Sequence, residues 1–93
     1  MHISVKILGL KSRQRYAVRR LVTMTQTVLQ AEYPGLEVDI LEIKTEEEIF
    51  KYTQVLIAPG LVINEKLVYD LWIPSKEQVL GWMRQAIAET RPV

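Results

Sequence analysis

The apolar residues of this chain change their spacing repeatedly, from every second residue to every third or fourth and back again. This switching restricts the possible folds, because the two spacings belong to strands and helices respectively. Alternating or continuous apolar runs between turn residues predict four strands, over residues 3–8, 36–43, 61–63 and 67–71. Helical spacing over residues 12–32 predicts a long helix between the first two strands.

Two capping motifs predict where the remaining helices begin. Thr45-Glu46-Glu47-Glu48 predicts a short helix that runs through Tyr52, and Ser75-Lys76-Glu77-Gln78 predicts a final helix that ends at Arg91-Pro92. The segment Asn64-Glu65-Lys66 predicts the turn of a hairpin between the last two strands.

The first helix carries two adjacent apolar stripes, which predict a broad buried face. The stripes consist of Ala17, Leu21, Met24 and Val28, beside Val18, Val22 and Leu29. Pro34-Gly35 ends this helix.

The predicted order of elements is β-α-β-α-β-β-α, which indicates an α/β fold with a four-stranded mixed sheet. The apolar residues Ile3, Val5 and Ile7, together with Leu61, Val62 and Ile63, would occupy both sides of the sheet, so we expect helices on both faces. The length of 93 residues favours a single domain over residues 1–93.

With a proline just before the third strand, this order resembles the thioredoxin fold. More narrowly, the chain resembles the small thioredoxin-like proteins called redox-active disulfide protein 2. The resemblance covers nearly the whole chain, and its landmarks are Val5-Lys6-Ile7-Leu8-Gly9, Lys51-Tyr52, Ala58-Pro59-Gly60-Leu61-Val62-Ile63-Asn64 and Ile73-Pro74-Ser75-Lys76-Glu77. The stretch between Tyr52 and Pro59 is slightly longer than the family pattern.

The family's Cys-x-x-Cys motif falls on Ser12-Arg13-Gln14-Arg15 in this chain, which contains no cysteine. Thiol–disulfide exchange requires a thiolate and a second sulfur, so the resemblance implies the fold without dithiol redox activity. By the same resemblance, Pro59 is expected to be a cis-proline that faces the motif positions.

Charge is unevenly distributed along the chain. Residues 1–31 contain six bases and no acid, whereas residues 32–93 contain eleven acids and six bases, so the two parts carry formal charges of +6 and −5. The net charge of +1 gives no general reason to expect binding of nucleic acid.

The start of the first helix is the first candidate binding site. Lys11, Ser12, Arg13 and Arg15 lie there, with Ser12 expected as the N-cap. Free amides at a helix N-terminus attract anions, so an acidic or phosphorylated partner fits this end. The simpler interpretation, that these cations only extend into water, has the greater weight.

The loop before the third strand is the second candidate binding site, at Ile57, Ala58, Pro59 and Gly60. Backbone groups before such a proline can pair with an extended peptide. A purely structural proline loop explains the segment equally well.

Aromatic residues near the last strand form a third candidate surface. Trp72 and Tyr69 on an edge strand would favour a homodimer, whereas packing of Trp72 and Trp82 beside the final helix is the slightly preferred interpretation.

Other chemistry has little support. His2 is the single histidine and there is no cysteine, so no zinc site, nucleophilic triad or cofactor motif is expected. The absence of a leader pattern or of an apolar run of about 20 residues favours a cytoplasmic protein without a membrane segment. We therefore expect a non-catalytic binding or adaptor module, with two alternatives: a carrier or enzyme for a small anionic ligand such as glutathione, and a homo-oligomeric subunit.

Overall fold

The computed structural model describes residues 1–90 and contains four strands and three helices. In chain order these are β1 (His2–Leu8), α1 (Ser12–Glu32), β2 (Glu37–Ile43), α2 (Glu46–Ile49), β3 (Gly60–Ile63), β4 (Lys66–Tyr69) and α3 (Lys76–Thr90). The predicted order of elements is confirmed. The predicted end of the last helix at Arg91-Pro92 lies outside the described residues.

The four strands form one mixed sheet in the order β2-β1-β3-β4. β1 pairs with β2 in parallel, in the register Ile3 to Val38 and Val5 to Ile40. β3 is antiparallel to both β1 and β4. This arrangement is the thioredoxin-like topology, and it leaves β2 and β4 at the two edges of the sheet.

The main core lies between the sheet and the two long helices. Alternate residues of β1, namely Ile3, Val5 and Ile7, point to this side and are fully buried. They pack with residues from β3, α1 and α3: Leu61 and Ile63, Val18, Val22 and Leu29, and Val79, Met83 and Ile87. One continuous core of this kind supplies most of the free energy that holds a small domain together.

The opposite face of the sheet carries a smaller cluster, formed by Leu8, Ile43 and Val62. Ile49 of α2 covers it, and Tyr52 and Leu56 pack at its margin. Both faces of the sheet are therefore covered by helices, as predicted, although α2 has only four residues.

The capping motif of α3 forms in full, and that of α2 forms one of its two expected hydrogen bonds. The Thr45 side chain accepts a hydrogen bond from the backbone of Glu48 at 3.4 Å. In α3 the exchange is reciprocal, since Ser75 Oγ accepts from the Gln78 backbone at 3.1 Å and Gln78 Oε1 accepts from the Ser75 backbone at 2.9 Å.

The second helix ends at Ile49, and the prediction that it continues through Tyr52 is wrong. The amides of Lys51 and Tyr52 bond to carbonyls three residues earlier, on Glu48 and Ile49, so the chain tightens into a turn.

The hairpin turn is shorter than predicted, with two residues instead of three. Asn64 and Glu65 both have positive φ values, 50° and 68°, as a type I′ turn requires. Lys66 already belongs to β4, and an irregularity opposite Leu61 and Val62 shifts the register. The strand ends at Tyr69, so the segment that contains Trp72 is not part of it.

Candidate functional site

The start of α1 and the loop before β3 lie side by side. A Cβ atom on Gly9 would stand 3.2 Å from the Cγ of Arg15 and 3.9 Å from the Cα of Pro59, so there is little space between the two segments. Gln14 Nε2 also donates to the carbonyl of Ile57 at 3.4 Å. The fold therefore brings the two candidate sites of the sequence into one region.

The loop before β3 differs from the expected cis-proline loop. No cis peptide bond occurs in residues 1–90, so the prediction for Pro59 is wrong. A peptide bond before proline is usually trans, and the Ala58–Pro59 bond has this common form. Ala58, Pro59 and Gly60 are buried, whereas the Ile57 side chain is 82% exposed.

Arg15 is not available as a surface cation. It is only 8% exposed, and its Nε donates to Glu42 Oε1 at 3.0 Å. Its Nη1 donates to the Gly9 carbonyl at 2.8 Å, so the side chain joins the helix to the end of β1 and to β2. Arg15 is therefore held in a structural ion pair.

The N-terminus of α1 lacks the usual stabilising groups. Lys11 is the N-cap and its side chain makes no capping hydrogen bond, so the prediction of Ser12 as the cap is wrong. The first turn contains no acid, whereas Lys11 and Arg13 are exposed and enter no ion pair within the described chain. Cations at this end of a helix oppose its dipole.

A groove runs beside this helix end, between α1 and the segment that follows β4. It is lined by Lys11, Arg13, Gln14, Ala17, Trp72 and Ile73. Trp72 is 55% exposed and does not cover the core. Trp82, by contrast, packs against the core and lies 5.2 Å from the Tyr69 ring, centroid to centroid.

The groove continues along α1, past apolar residues that were predicted to be buried. This second part is lined by Arg13, Tyr16, Ala17, Arg20, Leu21, Met24, Ile73 and Pro74. Met24 is 42% exposed, and Ala17 and Leu21 are half-buried. The predicted broad face therefore divides into a buried stripe and a stripe that faces the groove. Arg13 and Arg20 lie beside the second stripe, and these basic residues are the signal in the sequence that this side of α1 is close to solvent.

A separate polar cluster on the α2 side of the sheet forms a closed triangle. Lys6 Nζ contacts Tyr52 Oη and Glu65 Oε1, both at 2.7 Å, and Tyr52 donates to Glu65 Oε2 at 3.1 Å. The hydrogen bond from Lys6 lowers the pKa of Glu65, and the hydrogen bond to Glu65 raises the pKa of Lys6. These groups satisfy one another, and they anchor the hairpin turn to β1.

The rest of the described chain offers no metal site and no membrane helix. Residues 1–90 contain no group of three or more histidine, aspartate or glutamate residues that could hold a metal ion. None of the helices in this range has the length and apolar character that a membrane-spanning helix needs.

A scan against protein-family models found no match, and a search of curated proteins found no relative.

Proposed function

We propose that this protein is a thioredoxin-like binding module without dithiol redox activity, which docks a protein partner on the surface at the start of α1. This N-terminal surface comprises Lys11, Arg13, Gln14, Ile57 and Trp72. The observation that carries the proposal is that the exposed Trp72 lines the same groove as Lys11 and Arg13, two cations that form no ion pair within residues 1–90. The exposed Ile57 is joined to this groove through its carbonyl, which accepts from Gln14. Tryptophan and arginine are both enriched in protein interfaces.

The absence of redox chemistry follows from the composition. The chain contains no sulfur that could form or resolve a mixed disulfide, and a serine hydroxyl cannot replace one. We further propose that the chain is a divergent relative of the redox-active disulfide protein 2 type, with Ser12 and Arg15 at the two cysteine positions. The element order and the sheet order β2-β1-β3-β4, which form a thioredoxin-like topology, support this proposal.

The partner is proposed to present an acidic segment. Each exposed cation near the first turn of α1 costs about 0.3–1 kcal/mol against the helix dipole. A carboxylate or phosphate from a partner would reverse that cost, since it could pair with the cations and approach the free amides of the helix.

The experiment compares two charge-reversal variants in a quantitative pull-down. Lys11→Glu with Arg13→Glu is expected to lower the recovery of a specific partner about tenfold, because attraction becomes repulsion at the contact. The control, Lys51→Glu with Lys76→Glu, changes the net charge equally at exposed positions elsewhere and should retain the partner. Equal recovery by both variants would remove the proposal.

A second candidate function is a carrier or enzyme for a small anionic ligand such as glutathione. A groove lined by Ser12, Arg13, Arg15, Tyr16, Arg19, Glu42 and Lys44 favours it, because two of its cations, Arg13 and Lys44, form no ion pair within residues 1–90, whereas Arg15 and Arg19 are paired with Glu42. Ligand at about 100 times its Kd should stabilise the fold by about 2.7 kcal/mol. A thermal-shift screen of glutathione and simple anions that shows no change would exclude this candidate.

The third candidate, a homodimer through the last strand, is supported by the edge position of β4. Leu67 on this strand is partly exposed, which fits strand-to-strand pairing. Sedimentation that shows only monomer at high micromolar concentration would exclude it.

A further inference from the structure

We infer that the groove along α1 binds an acidic amphipathic helix of the partner protein. This inference deepens the proposed function and rests on it, since it names the form and the chemistry of the partner segment. We define the α1 groove as the two connected parts described above, which share Arg13, Ala17 and Ile73.

The floor of the α1 groove is apolar and partly open: Met24 is 42% exposed, whereas Leu21 and Ile73 also pack against the main core and Pro74 is buried. It is formed by Ala17, Leu21, Met24, Ile73 and Pro74. These side chains come from a helix and from an irregular segment, and the space above them measures about 610 Å³. Burial of this floor would contribute roughly 25 cal/mol for each Å² of apolar surface removed from water.

The rim of the groove has one sign of charge. Lys11, Arg13 and Arg20 line it, and no acid does. Arg20, like the other two cations, forms no ion pair with residues 1–90. Arg19 differs from these three cations, because on another side of α1 its Nη1 lies 3.4 Å from Glu42 Oε2. Charge complementarity therefore selects an acidic occupant.

The walls of the groove favour a helix over an extended strand. A strand binds by pairing with the free backbone of a sheet edge. Here one wall is α1, whose interior backbone groups are bonded within the helix, and the other is the short irregular segment around Trp72 and Ile73. A helix instead packs by side-chain ridges, and the small Ala17 permits close approach.

The length of the groove sets the length of the occupant. Between Arg13 and Met24 the helix rises about 16 Å, which corresponds to about three turns of a partner helix. The occupant is therefore a segment with apolar residues at positions i, i+3 or i+4 and i+7, flanked on both sides by aspartate or glutamate.

The test uses the full chain and a fluorescein-labelled peptide of about 14 residues, long enough to cover the groove. The peptide has leucines on one helical face and glutamates on the flanks. Fluorescence anisotropy should show saturable binding that weakens as salt rises. A scrambled peptide of equal composition should bind at least about tenfold more weakly, because its leucines do not share a face. Equal binding of the two peptides, or of single-stranded DNA, would reduce the effect to general charge attraction and overturn the inference.

Two variants locate the peptide on the protein. Arg20→Glu with Met24→Asp should weaken binding about tenfold, because it places acids on the rim and floor. The control is Leu41→Asp with Lys51→Glu, which makes the same change of charge at exposed positions away from the groove. Thermal unfolding verifies that both variants fold. Equal weakening in both would overturn the inference.

Two further results separate this inference from the proposed function. If Lys11→Glu with Arg13→Glu loses the cellular partner while the acidic peptide fails to bind, the proposed function stands and the α1 groove is not its helix site. If sedimentation of the protein alone shows a salt-sensitive dimer that Arg20→Glu with Met24→Asp abolishes, the occupant is a second copy of this chain and the inference is wrong.

Discussion

The N-termini of α1 and α3 differ in how far they are stabilised from within the chain. At α3 the Ser75 and Gln78 pair exchanges two hydrogen bonds, and Glu77 places an acid in the first turn. At α1 there is no side-chain cap and no acid, and Lys11 and Arg13 stand there instead. The free amides and the dipole of the helix N-terminus are therefore compensated by nearby side chains in α3 but not in α1.

This difference supports the proposed docking surface at the start of α1. A sequence that agrees with its own fold at one helix end and departs from it at another is expected to do so at a functional site. The departure at α1 coincides with the exposed Ile57 and Trp72 and with the α1 groove. Three pairs of substitutions test the contrast between the two helix ends.

The largest effect is expected at Arg15, the cation of this helix end that is satisfied within the chain. Arg15→Ala removes a partly buried ion pair and leaves the buried Gly9 carbonyl without its side-chain donor, so the free energy of unfolding should fall by about 2 kcal/mol. Arg13→Ala, at an exposed and unpaired position, should change it by less than about 0.5 kcal/mol. Urea denaturation measures both values. Similar small losses in the two variants would show that the Arg15 ion pair does not stabilise the fold.

A medium effect is expected at the two serines near the helix starts. Ser75→Ala should lower the free energy of unfolding by about 1 kcal/mol, because it removes the acceptor that caps α3. Ser12→Ala should have an effect of only a few tenths of a kcal/mol, since Ser12 is inside the helix and caps nothing. The two single variants are compared by urea denaturation at neutral pH. A loss at Ser12 as large as that at Ser75 would contradict the contrast.

The smallest effect has the opposite sign. Arg13→Glu should stabilise the protein by about 0.5 kcal/mol, because an acid in the first turn complements the dipole of α1. The gain should shrink at high salt, whereas Lys51→Glu, outside any long helix, should give none. Thermal and urea unfolding at two salt concentrations measure it. A loss of stability in Arg13→Glu would mean that Arg13 makes a structural contact, and that this end of α1 is not open.

Much of the fold could be predicted from the sequence because its patterns are local. The alternation in β1 and β2, the capping motifs at Thr45 and Ser75, and the bounds of α1 all match the structure. The prediction failed where the burial of a side chain depends on residues that are distant in the sequence. Met24 and Val22 have similar apolar character, yet Val22 is buried and Met24 borders the groove, because no described element packs over that side of α1.

The proximity of the two candidate segments was predicted from the sequence, but the exposure and pairing of their individual residues were not. The two segments around Arg13 and Ile57 are neighbours, as the resemblance to the thioredoxin fold implies. Nothing in the sequence pattern distinguishes the paired Arg15 from the exposed Arg13, two residues away on the same helix. That separation depends on Glu42, which β2 brings from a distant part of the chain.

The sequence alone determined that no thiol chemistry occurs in this protein, since that chemistry requires an atom that the chain lacks. It also determined the order of strands and helices, because apolar periodicity and capping act over a few neighbouring residues. Only the tertiary structure decided which cations of the basic segment are paired and which apolar stripe of α1 remains uncovered. Both depend on packing between elements that are far apart in the chain, and packing fixes burial and charge partners through distances that sequence spacing does not contain.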